Sequence, residues 1–584
     1  MWCKNCKKET QYKHCEICGE ETEEEIPSLI YWCKNCNTPL IKKENEIDKE
    51  TCLICGEKIE YLTTDARPVF PEERLLLEIL LDVPMKYHKN NVFVSANRYY
   101  IDGFKVVLTS KMYSKYSPDY IIKELNKYKQ KNTYEYFNKH IEKFIKFNKD
   151  RLNDMFDEAC SFVKETAKKV PLENIIVSFS GGKDSTATQS LVVRSLSEPS
   201  LVHIFGDTTL EFPMTMEYAK RFRKNNIKTI FKVAKNKEQN FMKVCEDIGP
   251  PARMLRWCCY MFKTGPISRV INALYKDENV LTFYGIRKCE STARSKYNRV
   301  ENNAESTKIN KQTVASPIFY WKDIDVWLYI LAEKLDFNDA YRLGYDRVGC
   351  WCCPNNNTRA EFLSSVYMPE RSKKWQSFLI NFAKRIGKPD PEVYVKSGKW
   401  KARQGGNGIK SSEDIKIKFS NCTSEEYAKI YELNKPITDW FLELFYPFGK
   451  ISPELGRKLV NETIITDIKT GVPIISIQPF EQNNYGYSVK IKILNVKYYD
   501  KLEKMVAYQI RKYNACRKCL KCESLCKFGA ISIKGDEYHI SDEKCKRCKM
   551  CVTSKYLAGG CLMDKYLKTK LEKNKIKEGY YGKF

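Results

Sequence analysis

The chain has no apolar run approaching the ~18 residues that a membrane span needs, which argues against a helical membrane protein. It opens Met1-Trp2-Cys3-Lys4, which does not read as a secretory leader. A cytoplasmic protein with no membrane partner is expected. Without a leader, the 25 cysteines among 584 residues do not read as disulfides. Most sit in CxxC units, the pattern of metal ligation in a reducing cytosol. A GxxxxGK[ST] phosphate loop is also missing. Histidine is scarce, at five, while Lys, Ile, Glu and Tyr are abundant, a balance resembling that of thermophilic archaea. Acidic residues are in deficit, 73 against 100 Lys and Arg, giving +27. If twenty cysteines held five metal sites of net charge about −2 each, the total would fall by about 10, to about +17. That still favours RNA, small anionic substrates or acidic ferredoxins as partners. A merely Lys-rich proteome explains the charge equally well. The length leaves room for about three to five domains.

What is present is organised around Ile175–Ser185, IIVSFSGGKDS. Its apolar, β-branched start predicts a buried strand over 175–179. Ser180, Gly181 and Gly182 break the strand, and Thr186–Leu196 is periodic as a helix is. A strand that enters a Gly-rich turn and then a helix aims backbone N–H groups and a dipole end at one point, an anion site. Glycine lets the anion approach, Lys183 adds a charge, and Asp184 and Ser185 can cap or orient. An ordinary solubilising turn is the plainer alternative. From Asn174 the chain alternates as a parallel sheet does. Strands are predicted at 175–179, 201–206, 228–233 and 281–285, and helices at 186–196, 213–225, 238–247 and 323–333. The fold class read here is α/β, a doubly wound and mainly parallel sheet with its ligand at the strand carboxyl ends.

Residues 1–60 repeat internally. Trp2-Cys3-Lys4-Asn5-Cys6 returns as Trp32-Cys33-Lys34-Asn35-Cys36, and Cys15-Glu16-Ile17-Cys18 as Cys52-Leu53-Ile54-Cys55. Each CxxC knuckle points two thiolates at one ion, and two knuckles make a tetrahedral zinc site. Tandem zinc ribbons follow, with Zn2+ held by Cys3, Cys6, Cys15 and Cys18 and by Cys33, Cys36, Cys52 and Cys55. Rubredoxin-like iron competes, and interleaved pairing stays open. Residues 61–150 read as a small basic α/β module, with strands at Asn91–Ser95 and Lys105–Thr109 and helix over Ser117–Phe147. A connector packed on the following domain is the plainer reading. Val92–Val107 is similar only in outline to a PUA-type RNA-binding module.

The SGGKDS turn resembles the pyrophosphate loop of adenine-nucleotide α-hydrolase-like proteins. Four further stretches join it. Gly206-Asp207-Thr208-Thr209-Leu210-Glu211-Phe212-Pro213 follows the second strand, where Asp207 and Thr208 can meet a ribose or adenine. Tyr284-Gly285-Ile286-Arg287 with Glu290, Ser291 and Arg294 closes the fourth strand, its arginines able to fork onto phosphate or sulfate. Ser316-Pro317-Ile318 leads to Trp321, Asp325 and Trp327. Arg256-Trp257-Cys258-Cys259 with Lys263 pairs at a distance with Gly349-Cys350-Trp351-Cys352-Cys353-Pro354. Together, over 151–360, these resemble the phosphoadenosine phosphosulfate (PAPS) and adenosine phosphosulfate (APS) reductase family. The resemblance implies a [4Fe–4S] cluster on Cys258, Cys259, Cys350 and Cys353, with Cys352 spare, although spacing alone leaves a four-thiolate zinc site open. It also implies a nucleotide on Ser180–Ser185 whose sulfate faces Lys263, Arg287 and Arg294. The family's tail cysteine, in a Glu-Cys-Gly-Leu-His type motif, is missing, which puts a thiosulfonate intermediate in doubt. Cys422 is the nearest substitute; it and Cys160, Cys245 and Cys289 read by default as lone core thiols.

Residues 361–410 read as irregular, with the basic stretch Ser397–Gly408 as a mobile surface loop or a closure over an anion. Residues 411–510 read as a small α+β domain, helical over Ser424–Tyr446. In 511–565, Cys516, Cys519, Cys522 and Cys526 are followed by Cys545, Cys548, Cys551 and Cys561. This run resembles a bacterial-type two-cluster ferredoxin, which implies one [4Fe–4S] cluster on Cys516, Cys519, Cys522 and Cys561 and another on Cys545, Cys548, Cys551 and Cys526. Lys527 stands where the pattern has proline. A basic tail, 566–584, follows. The expected function is an iron–sulfur oxidoreductase turning APS or PAPS into sulfite with electrons from a ferredoxin or similar donor. The rival readings are an ATP-dependent RNA (tRNA) sulfur-transfer enzyme and a non-catalytic nucleotide or redox sensor.

Overall fold

A computed structural model of the chain describes residues 1–584 except 47–49, 276–277, 293, 303–311, 481–486, 495–496, 498, 558 and 570–584. The tail predicted at 566–584 therefore lies outside the described residues from 570 on.

The central unit is a six-stranded sheet. Its strands in chain order are β1 (Ile175–Phe179), β2 (Val202–Asp207), β3 (Ile230–Lys235), β4 (Val280–Phe283), β5 (Val300–Glu301) and β6 (Gln312–Ala315). They lie side by side as β3-β2-β1-β4-β6-β5. All pairings are parallel except β5 with β6. The helices are α1 (Lys183–Leu196), α2 (Pro213–Asn225), α3 (Phe241–Ile248), α4 (Gly265–Tyr275) and α5 (Asp323–Ala332). Ile267 and Ile271 of α4 bury against Ile176 and Ile204. Ala187 and Leu191 of α1 share a core with Ile324 to Ile330 of α5. Helices on both faces explain why the central strands β1 and β4 are buried along nearly their whole length instead of alternating. The sheet is the doubly wound α/β architecture expected, with the edge pair β5–β6 added. The strand order reverses between β1 and β4, and ligands of such sheets bind at that switch.

The N-terminal segment builds the hairpin Trp2–Cys3/Lys8–Glu9, a three-stranded sheet over 28–63 and a four-stranded sheet over 67–107. The long helix expected over 117–147 is two, Pro118–Tyr128 and Glu135–Phe147. Each begins afresh; Ser117 caps the first through the Tyr120 amide.

Two further expectations fail. Residues 355–410 are largely helical, with Thr358–Tyr367, Pro369–Arg385 and Pro391–Lys396; Asn357 caps the first, and proline opens the other two. The stretch Ser397–Gly408 is not a mobile surface loop, because Trp400, Lys401 and Arg403 are buried. Arg403 donates to the Ile248, Pro250 and Gly405 carbonyls. Nor is Ser424–Tyr446 a helix: Ala428–Leu433 is a strand of a second, antiparallel six-stranded sheet, and only Asp439–Glu443 is helical. Pro436 separates the two, and a two-residue alternation won over the helical period. Helix Tyr499–Ala515 leads from that sheet into the cysteine-rich segment.

Candidate nucleotide site and cysteine centres

The turn after β1 is held from within. Ser180 N and Oγ lie 3.1 and 3.2 Å from Ser185 Oγ, and Ser185 Oγ donates to the Gly182 carbonyl. Gly181 has φ +71°, and a methyl there would press on Thr215. Its carbonyl accepts from Asn338 Nδ2, and the Lys183 amide donates to the Tyr341 hydroxyl at 3.0 Å. From the far side of the switch, Gly285 packs so closely that a Cβ would stand 2.6 Å from the Asp184 carbonyl carbon.

The cations divide into two groups. Lys183 and Arg287 are buried and share two carboxylates. Lys183 Nζ lies 3.2 Å from Asp184 and 3.1 Å from Asp323; Arg287 lies 2.7 Å from each. Burial works against the Lys183 charge, yet Asp184 and Asp323 outweigh it and hold its pKa above the ordinary lysine value. Asp65 caps the network, accepting from the Asp323 and Ile324 amides. Burial, then the Asp323 charge, pushes the Asp65 carboxyl up to about 6.

The second group is more open. Arg294 pairs with Glu290, and burial followed by the like charge of Arg347 lowers its pKa. Arg347 is exposed, and its charge also acts on Cys353. Lys263 acts on Tyr284 and Cys350. Asp207 accepts from Lys235 and the Thr209 amide. Thr208 Oγ1 donates to Glu211 at 2.6 Å and lies 3.6 Å from Cys350 Sγ. Sequence reasoning missed Asp65, Tyr341 and Arg347 as members of this site, since none carries a local signature.

The ribbon cysteines form two sets, Cys3/Cys6/Cys15/Cys18 and Cys33/Cys36/Cys52/Cys55, each with its sulfurs within 4.8 Å of one another. Pairing therefore runs within each repeat. Sulfur pairs stand 3.5 to 3.9 Å apart, against the about 3.8 Å edge of a tetrahedron with ~2.3 Å Zn–S bonds. The residues fit zinc ribbons. Among the described residues no other cysteines gather this tightly.

The remaining sets are wider. Cys258 feels the charges of Cys259 and Cys350, and Cys353 that of Cys259. Burial, then Glu211, pushes the Cys350 thiol up to about 12. Cys519 has Cys522, Cys561 and Cys516 as neighbours; Cys545 has Cys526 and Cys548. A cavity is lined by Cys526, Cys545, Cys548 and Cys551. Thiols that burial and mutual repulsion keep protonated are ones that a bound cation would deprotonate. Cys352 is buried; Cys289 is exposed, contrary to a core assignment, with its sulfur 3.4 Å from Arg287. Cys422 is half-buried beside the second sheet, in contact with Ser424.

With this geometry in place, residues 174–356 match the family model of the phosphoadenosine phosphosulfate reductase domain. Over that span, 183 of its 584 residues, the chain is similar to this domain. The matched span contains the SGGKDS turn, the arginines and all of the Cys258–Cys353 set. An uncharacterised protein of Methanocaldococcus jannaschii is 32% identical over 290 residues, covering 48% of this chain and 56% of the relative. The adenosine 5'-phosphosulfate reductase of Neisseria meningitidis serogroup A is 38% identical over 98 residues, 17% of this chain and 36% of that enzyme. The chain thus spans little more than half the length of the first of these relatives and about a third of the second. Among solved structures, phosphoadenylyl-sulfate (PAPS) reductase from Candida auris aligns with TM-score 0.27 and 19% identity, covering 36% of this chain and 95% of that one.

Proposed function

We propose that this chain is an enzyme that reduces a sulfonucleotide, APS or PAPS, to sulfite, with electrons entering through its C-terminal cysteine-rich segment. One observation carries the reading. Cys519 and Cys561 pack into the same hydrophobic core as Trp257, Met261 and Cys352, against which Cys258 and Cys350 also lie. Tyr566, 2% exposed, belongs to this core, close enough to Cys519, Cys258 and Cys259 to feel all three. Arg269 grips Glu523 at 2.7 and 2.8 Å, and Lys521 stacks over Tyr260, so the C-terminal segment is fastened to the helix that follows the Cys258–Cys259 pair.

The wide spacing of the 258/259/350/353, 516/519/522/561 and 526/545/548/551 sets supports [4Fe–4S] clusters over single ions. Held there, such clusters would supply one-electron storage and transfer. The chain's own residues do the rest. The 180–185 turn cradles the nucleotide phosphates with backbone N–H groups. Lys183 and Arg287, already balanced by Asp184 and Asp323, fix the shape of that turn. Exposed Arg347, with Arg294 whose charge Glu290 shares, orients the sulfate beside Cys353. Thr208 and Glu211 buttress Cys350.

An ATP-dependent RNA sulfur-transfer enzyme is the second reading, favoured by the missing tail thiol and by the position of Cys422 just past a strand of the second sheet. The test is anaerobic: reconstituted protein with a chemically reduced ferredoxin receives APS, PAPS or ATP, and sulfite, AMP and pyrophosphate are measured. Sulfite from either sulfonucleotide supports the reductase and names its substrate. Pyrophosphate from ATP only when RNA is added, with no sulfite, transfers the assignment to the RNA enzyme. A nucleotide that binds without being consumed leaves a sensor.

A further inference from the structure

The two C-terminal cysteine sets differ in what surrounds them. The set of Cys516, Cys519, Cys522 and Cys561 is walled in: Cys519, Cys522 and Cys561 are buried, and the segment bearing them is pinned to the reductase domain through Arg269–Glu523 and Lys521–Tyr260. The other set has an open side. Cys548 is exposed, and Lys527, Phe528, Lys544 and Lys546 are exposed around it, with Lys549 half-buried beside it. The cavity at this set is lined by Phe528, Lys546 and Lys549 together with the cysteines.

The charges on this rim are not spent. Arg547 is occupied, by Asp542 and by the Cys545 carbonyl at 2.7 Å. Among the described residues, Lys527, Lys544, Lys546 and Lys549 enter no ion pair; of the exposed carboxylates in the same segment, Asp536 pairs with Lys518 and Glu537 meets His539, which leaves Glu543. Four unpaired cations against one unpaired carboxylate, in the stretches that flank exposed Phe528 and exposed Cys548, form a surface that selects an acidic partner and steers it. On the buried side no protein could reach the cysteines without dismantling the domain contact.

Resting on the reductase reading, we propose that the rim Lys527, Phe528, Lys544, Lys546 and Lys549 is the landing face for a small, carboxylate-rich, one-electron donor protein. Electrons then enter at the Cys548 side and leave at the Cys519 side, toward Tyr566 and the reductase domain. The donor loses one electron per encounter. Two encounters match one turnover, in which the sulfur–oxygen bond to the bridging atom breaks, that oxygen stays on the nucleotide phosphate, and sulfate sulfur leaves as sulfite.

The test uses the reconstituted full chain and the charge-reversed variant Lys527→Glu/Lys544→Glu/Lys546→Glu. A reduced acidic two-cluster ferredoxin is the protein donor, and reduced methyl viologen is a small donor that needs no docking face. Binding of the ferredoxin is measured by calorimetry at low and high salt, and bleaching of the iron–sulfur absorbance is followed with each donor. The expected result is a loss of ferredoxin affinity of at least about tenfold, a flattened salt dependence, and slower bleaching by ferredoxin only. Unchanged ferredoxin binding with intact iron content overturns the proposal. So does equal slowing with both donors, which would make the lysines a support for the centre itself. If the reversal costs iron, the neutral Lys527→Gln/Lys544→Gln/Lys546→Gln variant gives the same readings with less repulsion. Binding and bleaching need no sulfonucleotide. A protein that takes electrons by salt-sensitive docking yet makes no sulfite would keep this face and lose the reductase reading.

Discussion

Replacing Gly285 by alanine tests whether the switch between β1 and β4 is the nucleotide site. Its φ is not in the left-handed region, so the cost is space alone. The added methyl would stand 2.6 Å from Asp184 C, 2.7 Å from Asp184 O and 2.9 Å from Ser185 N. All three atoms are backbone of the 180–185 turn, so no side chain can swing aside; either the end of β4 or the turn must move. Overpacking of this kind costs about 1–3 kcal/mol. If the turn yields and must be forced back to grip phosphate, that strain is taken from binding, about 5- to 150-fold in affinity. The assay is calorimetric titration of Gly285→Ala with APS, PAPS and ATP, alongside iron and zinc content. Gly349→Ala is the control, since a methyl there meets nothing within 4 Å. Undiminished affinity in Gly285→Ala would refute the reasoning, because a turn displaced by a methyl cannot be the part that holds the nucleotide.

Other outcomes follow from the same geometry. Glu73, 1% exposed, joins Arg67 at 2.6 Å, Arg359 and the Tyr99 hydroxyl; Glu73→Gln strands buried Arg359 and leaves Arg67 to Asp346 alone, costs about 3–5 kcal/mol and should lower the thermal unfolding midpoint with nucleotide chemistry otherwise intact. His203 is buried, and burial lowers its pKa from 6.5 to about 4. The folded state then refuses a proton that the unfolded chain accepts, so stability is full above pH 6.5 and falls by about 3 kcal/mol on the way to pH 4; His203→Phe should flatten that part of a melting-against-pH curve. Tyr566→Leu should slow sulfite formation by about tenfold, ~1.4 kcal/mol of barrier, with nucleotide affinity unmoved; an unchanged rate would remove Tyr566 from the path. A zinc chelator should release metal from the two ribbon sets and unfold residues 1–60, read by loss of protease resistance there.

What was legible in the sequence was what a short window contains. A CxxC unit places its own two sulfurs, so the ribbon sets were readable before any fold was known. The same holds for β1, whose bounds are Ile175–Phe179 as its apolar run implies, and for α2, which starts at Pro213. Ala428–Leu433 failed because its partner, Tyr487–Ile493, lies about sixty residues away and supplies the pairing that makes it a strand. The site failed in the same way, and the consequence is chemical. Counted from the motif, Lys183 and Arg287 are anion ligands; folded, they are answered by Asp184 from the turn and Asp323 from the start of α5, while Asp65 arrives from a segment that showed no chemistry. Buried charges must be paired, so these two lysine and arginine side chains act as the frame of the turn. Arg294 shares its charge with Glu290, while Arg347 is exposed at the edge of the cysteine centre and is the cation best placed to meet an anion under the proposed function. A charge is available for a ligand only after the fold has taken its share, and that share is set by residues far apart in the chain.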